Sequence, residues 1–282
     1  MRRPFSLIAV IALAAVAFPA RAQDAQGPMA PPPKYEVKNI PLKADPGKPP
    51  LPVEDMIRRL AANEDLFKKV YDTYRLEQTV RVQELDNGGP SGEFKVTGEF
   101  YTKPDGKRYE RIVKPPESTL RKSAFSVEDV QTLAALPLFV LTTDELPHYD
   151  LRYEGQQKLD EINTFIFSVK PKQVIRGRRL FDGVVWVDNQ ELAIVKSYGR
   201  FVTEVARENE QIPFTTYETY RENIAGKYWF PTYIRSDETV PLPKGGDLHL
   251  RLVIRSSNFL LQSATAPAPA APAAPVAPKP PQ

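Results

Sequence analysis

The chain has 282 residues, with 38 basic against 35 acidic side chains, two histidines and no cysteine. The excess of positive charge lies at the N-terminus, where residues 1–22 hold Arg2, Arg3 and Arg21 and no acid, so the rest carries 35 of each sign. A neutral chain offers no general electrostatic footprint for nucleic acid. The missing cysteine excludes disulfides, thiol catalysis, thiolate metal sites and the acylated cysteine of a lipoprotein.

The opening stretch "MRRPFSLIAVIALAAVAFPARAQ" has a basic start, an apolar run from Phe5 to Ala17 and small residues at Ala20 and Ala22. The run falls short of the ~20 residues a bilayer span needs, so residues 1–22 read as a signal peptide cleaved after Ala22. The mature protein is then expected to be exported to the periplasm, soluble, with peripheral membrane contact or none. Residues 23–52 and 263–282 are rich in proline and lack apolar periodicity. They read as a Pro-rich arm and a disordered Pro/Ala tail. Between them, 53–262 is one folded unit of about 210 residues, enough for one sizeable core.

In "PVEDMIRRLAANEDLFKKVYDTY" the residues Met56, Ile57, Leu60, Phe67, Val70 and Tyr71 recur at helical spacing. Acids at the start and lysines near the end complement the helix dipole, which predicts a helix over 53–72. Alternating patterns at 74–85 and 93–102, and "RYERIVK" at 108–114, predict three strands. They are separated by the turn clusters "DNGGPSG" and "KPDGK", an antiparallel meander.

A helix is then predicted from Ser126, as N-cap with Asp129 three residues on, to Pro137. The run Leu133–Leu141, "LAALPLFVL", is continuously apolar and must be buried or lie over an apolar cavity. Strands resume at 149–157, 161–170, 179–188, 191–201, 213–223, 228–237 and 247–259. The predicted fold class is mainly β, α+β in detail: one large curled antiparallel sheet forming an unclosed barrel, with an N-terminal helix and a helical lid.

Motifs for chemistry are sparse. His148 and His249 have no acidic neighbour at ligand spacing, so no metal site is expected, and no cofactor. No nucleophile elbow, Walker loop or dinucleotide fingerprint occurs. The doublets Asp144–Glu145, Asp160–Glu161 and Asp237–Glu238 lie in or beside turns, where adjacent side chains diverge. Asp182 and Asp188 read as turn residues bracketing a strand, too far apart for a carboxylate pair. No catalytic residue is assigned, and the chain reads as a non-enzyme.

Two groups remain. The aromatics Phe94, Phe100, Phe165, Phe167 and Trp186, with Leu138 and Phe139 from the apolar run, would fill an ordinary core or line a pocket for an apolar ligand. Phe165, Phe167 and Val169 share one strand face and Ile162, Thr164 and Ile166 the other; Val184 and Trp186 oppose Val185 and Val187. The basic run "KPKQVIRGRR" supplies Lys172, Arg176, Arg178 and Arg179, which would engage an anionic headgroup or form a solvated hairpin loop.

The stretch "YDLRYEGQQKLDEINTFIFSVKPKQ", followed by "GRRLFDGVVWVDNQELAIVKSYGRF", resembles the outer-membrane lipoprotein-sorting superfamily, the LolA-like proteins. The likeness rests on a strand ending at Gly155, an apolar strand closing on Pro171, Trp186–Val187–Asp188, and the strand Leu192–Lys196. It spans roughly residues 54–260. It implies an unclosed β-barrel whose lidded apolar cavity holds acyl chains, and a partner that is a lipid, an acylated protein or another envelope protein. The expected function is a periplasmic lipid or lipoprotein-binding carrier. The alternatives are an envelope interaction or sensor protein with a packed core, an outer-membrane barrel, and a hydrolase without a recognisable motif.

Overall fold

The computed structural model describes residues 44, 45, 47–87, 89–103, 108–134, 138–202, 213–224, 226, 228–242 and 245–262. The expected signal peptide, most of the arm, the tail and Pro137 lie outside the described residues.

Helix α1 (Val53–Tyr71) starts one residue after Pro52 and buries Met56, Leu60, Ala61, Glu64 and Phe67 along one stripe. Three strands follow, β1 (Tyr74–Asp86), β2 (Gly89–Thr102) and β3 (Arg108–Ser118). The first turn is tighter than the cluster "DNGGPSG" predicts: Asn87 takes a left-handed φ of 45° and residues 89–92 already belong to β2. Short helix α2 (Val127–Ala134) carries reciprocal capping, with the Asp129 amide donating to Ser126 Oγ at 3.1 Å and the Ser126 amide donating to Asp129 Oδ2 at 2.8 Å. Residues 138–145 are not helical, so the second half of the apolar run crosses the fold as coil.

Seven strands complete the sheet: β4 (Tyr149–Leu159), β5 (Ile162–Pro171), β6 (Leu180–Asp188), β7 (Ile194–Val202), β8 (Thr216–Ile224), β9 (Tyr228–Pro241) and β10 (Asp247–Leu261). All neighbours are antiparallel, in the order β3-β2-β1-β10-β9-β8-β7-β6-β5-β4. The first and last strands of the chain meet in the middle, and β3 and β4 are the two free edges. The barrel is therefore unclosed, as expected, and no paired wall seals it as in a membrane barrel.

Register fixes which side chains share a face. One row runs Phe167–Val185–Ser197–Thr219–Ile234–Ile254–Val80–Val96 across eight strands. This face receives α1 and holds two apolar clusters: Met56, Leu60, Phe139, Phe165, Phe167 and Phe181 toward β4–β7, and Val80, Val82, Phe94, Leu133, Leu250 and Leu252 toward β1, β2 and β10. The opposite face carries the row Ile166–Trp186–Lys196–Tyr220–Tyr233–Arg255. There Lys196 Nζ lies 4.8 Å and 4.7 Å from the Trp186 and Tyr220 rings and 2.7 Å from Glu218.

The edges are protected in different ways. The last residues of the arm are tied to β4: the amides of Asp45 and Gln156 donate to each other's carbonyls at 2.8 and 2.9 Å. Gly155, at φ 132°, permits this approach, since a Cβ there would stand 2.4 Å from the Asp45 carbonyl oxygen. At the other edge β3 ends in exposed Lys114, Pro115 and Pro116, and a proline offers no N–H to a further strand.

Candidate functional site

The connection from β3 to β4 has to pass from one edge of a ten-stranded sheet to the other. It crosses the helix-bearing face, where Leu133, Phe139 and Leu141 are buried. This strap, residues 119–148, is the lid of the half-barrel. Where it passes between the two apolar clusters it roofs a cavity lined by Leu133, Leu138, Phe139, Phe181, Phe201 and Tyr217, with Ser197 and Thr219 on its floor. The space amounts to ≈ 30 Å³, room for two or three waters at ~10–15 Å³ each by the same measure. The space directly beneath Leu138 and Phe139 is nearly filled.

The sheet makes a shelf for the roof. Gly183 and Gly199 are paired across β6 and β7, and a Cβ on either would stand 2.7 or 2.6 Å from the Phe181 ring. With no side chains there, Phe181 lies flat along the strands and stacks on Phe139 at 4.2 Å between centroids. Asp182 is therefore no turn residue. It lies inside β6, opposite Arg200 and hydrogen-bonded to it, because the glycine beside it serves close packing and not a bend. Asp188 does make a turn, accepting the amides of Gln190 and Glu191 at 2.9 and 2.6 Å.

One ion pair holds the roof to the scaffold. Glu64 of α1 and Arg221 of β8, 1 % and 2 % exposed, form a two-pronged pair at 2.8 and 3.0 Å, and Arg221 Nη2 also donates to the Phe139 carbonyl at 2.8 Å. Farther along, Thr143 donates its amide and hydroxyl to Asp65 at 3.2 and 2.6 Å. The strap is thus anchored to α1 and β8 by side chains and not by sheet pairing. Glu84 fixes its start: it accepts the amides of Arg121, Lys122 and Ser123 and the Ser123 hydroxyl, at 2.6 to 3.0 Å.

Leu138 and Phe139 line the cavity itself. Phe165 and Phe167 pack in the cluster beneath Phe139, and Phe94 in the opposite one, so the structure brings these residues to one face. Phe100 shares their strand phase and is half-buried toward the end of β2. Trp186 does not join them. The period of two that puts Val185 and Val187 inside puts Trp186 on the outer face, 1 % exposed, its Nε1 donating to Gln157 Oε1 at 3.0 Å.

The basic loop lies between β5 and β6. Arg178 binds the far end of the strap through His148 Nε2 at 2.9 Å and Glu145 Oε1 at 2.5 Å, and the Lys172 amide donates to the His148 carbonyl at 2.9 Å. Lys172, Arg176 and Arg179 are exposed. Against the opposing charge of Arg179, burial pushes the Tyr217 phenol well above its ordinary pKa. Its hydrogen goes to the Phe214 carbonyl at 2.7 Å.

Sequence reasoning missed Glu64 and Arg221. The signal was a carboxylate at the third position of the stripe Met56–Leu60–Glu64–Phe67, where a buried charge demands a partner. Among the described residues no group of three or more histidines or acids stands close enough to hold a metal, and no helix is long and apolar enough to cross a membrane.

These elements define an open half-barrel: one curled antiparallel sheet, a helix on its inner face and a side-chain-anchored strap across it. Solved structures similar to this chain include a DUF1329 family protein from Desulfovibrio piger, at 17% identity over 76% of this chain and 95% of that one, TM-score 0.40. Others are a putative outer membrane lipoprotein-sorting protein domain from Vibrio parahaemolyticus (12%, 76% and 95%, 0.37) and a LolA superfamily protein from Nitrosomonas europaea (10%, 76% and 94%, 0.33). They include the superfamily that the sequence resembles. No family model and no curated protein matches the chain.

Proposed function

We propose that the protein is an exported, non-enzymatic binding protein of the cell envelope that shelters an acyl chain between its two inner apolar clusters. The signal peptide 1–22 would deliver it to the periplasm, and 53–262 would be the binding unit between the arm and the tail. The observation that carries the reading is the roof: Leu138 and Phe139 line the apolar cavity, and the hydrogen bond that ties them to the scaffold comes from a side chain, Arg221, to the Phe139 carbonyl. Displacing them exposes both clusters without breaking a ladder of the sheet. The exposed Lys172, bonded through its amide to the strap's end, and the exposed Arg176 of the same loop then offer charge to an acidic headgroup.

Affinity would come from burying methylenes at ~0.8 kcal/mol each, so shortening the ligand by two carbons weakens binding by about tenfold. Delipidated mature protein is expected to take up a fluorescent fatty acid saturably, and Leu138→Trp, which fills the cavity, is expected to block uptake while leaving the fold intact by circular dichroism. Absence of uptake, with no lipid copurifying in native mass spectrometry, would sink the reading. A second reading, a partner-binding protein with a filled interior, is favoured by the size of the cavity, ≈ 30 Å³. That negative result would select it.

A further inference from the structure

A second recess opens at the rim, between the C-terminal half of α1, the β6–β7 turn and the start of β9. It measures ≈ 300 Å³ and shares no lining residue with the cavity under Leu138. That volume is at the small end of ligand pockets. Its lining includes Asn63, Phe67, Glu191, Arg221, Tyr228 and Trp229.

The inner half of the recess already shows what its chemistry accommodates. The Arg221 guanidinium lies 4.5 Å from the centroid of the Phe67 ring and is gripped by the Glu64 carboxylate, a cation held between an aromatic face and an acid. The outer half repeats the acid and the aromatics around open space. Trp229 Nε1 donates to Glu191 Oε2 at 2.6 Å, which fixes the indole against the carboxylate, with Tyr228 adjoining. Asn63, donating to the carbonyls of Glu191 and Leu192 at 2.6 and 3.2 Å, pins the turn that carries Glu191.

The charges do not cancel. Arg221 matches Glu64, whereas among the described residues no Lys or Arg forms an ion pair with Glu191. The recess therefore holds aromatic rings and one net negative charge. Arg221 spends both terminal nitrogens on Glu64 and the Phe139 carbonyl, which disfavours an anion. A metal ion needs a shell of oxygens, and a bare ammonium keeps its water. An alkylated ammonium is weakly hydrated and meets ring faces through its methyl groups.

We propose that this recess binds an alkylated ammonium group, with Trp229 and Tyr228 as aromatic wall and Glu191 as counter-charge. The test titrates delipidated mature protein with tetramethylammonium chloride at constant ionic strength, by calorimetry and by tryptophan fluorescence. Trp229 is the half-buried member of the only two tryptophans, and Trp186 is buried on the sheet, so a change in emission reports the recess.

Saturable binding is expected. It should be weakened about tenfold by Glu191→Gln, which keeps an acceptor for the indole and removes only the charge, and abolished by Trp229→Leu. Leu138→Trp should bind tetramethylammonium like the wild type, which separates this site from acyl uptake. Choline and monomeric dodecylphosphocholine distinguish the source: equal affinity marks a small solute, and tighter binding of the lipid that is still sensitive to Glu191→Gln marks a headgroup. A response matched by potassium chloride, or wild-type affinity in Glu191→Gln, overturns the proposal.

Discussion

Glu84 sits on the inward face of β1 with no exposed surface, a place where a carboxylate survives only if its oxygens are saturated. Burial alone raises its pKa. The amides of Arg121, Lys122 and Ser123 and the Ser123 hydroxyl outweigh that and hold it below its ordinary value of 4.5. The folded protein therefore binds this proton less tightly than the unfolded chain. The stabilisation is complete above the unfolded value and is lost as pH falls through the folded one. Glu84→Gln should cost about 2 kcal/mol at neutral pH, since its amide group confronts donors. In urea unfolding that gap should be flat from about pH 6 to 8 and shrink between about pH 5 and 3. A pH-independent gap would show that the carboxylate carries no such role. The same property hid the site from the sequence: Glu84, Glu64 and Arg221 look like surface charges until the fold shows what each faces, whereas Leu138 and Phe139 were legible because an unbroken apolar run has to be covered.

Element boundaries were legible almost throughout, because hydrophobic alternation is enforced wherever one face of a strand is buried. That alternation separates the two faces of β5 and β6 and opposes Trp186 to Val185, but it does not say which face lies inside, and the cavity expected to include Trp186 lies on the other face. What alternation does not encode is an edge contact made by backbone alone, and the bridge of Asp45 to Gln156 on β4 is one. It depends on Gly155, whose φ of 132° and 2.4 Å clearance to the Asp45 carbonyl oxygen leave no room for a side chain. Gly155→Ala is expected to free the segment before α1, costing ~1–3 kcal/mol in strain. Hydrogen exchange should report it: the amides of Asp45 and Gln156, bonded to each other, should lose protection while those of the β1–β10 ladder keep theirs. Unchanged protection at Asp45 would mean that the segment is held by the Tyr153 hydroxyl, which donates to the Gly47 carbonyl at 3.2 Å, and not by the close approach.

At the scale of the whole molecule, a period of two says nothing about which strand neighbours which. The pairing of β1 with β10 therefore waited for the structure, and so did the crossing of the lid from edge to edge. That topology leaves the sheet two free edges, β3 and β4. An open edge is a template for another chain. β4 is met at Gln156 by Asp45, whereas among the described residues β3 has its own chemistry alone: exposed Arg111, Lys114 and Glu117 and the consecutive Pro115 and Pro116. Pro115 and Pro116 fall in the register break between the pairs Lys95–Glu117 and Thr97–Lys114, and neither offers a further strand an N–H donor. Replacing both with valine restores that donor and adds β-branched side chains to an exposed strand. Pro115→Val/Pro116→Val is expected to self-associate edge to edge, its light-scattering mass rising with concentration while the wild type's does not. Adding Val113→Lys, at a position already exposed, should restore wild-type behaviour by charge. Equal masses for the double variant and the wild type would assign edge protection to the charges of β3 and leave the prolines the simpler task of breaking its register with β2.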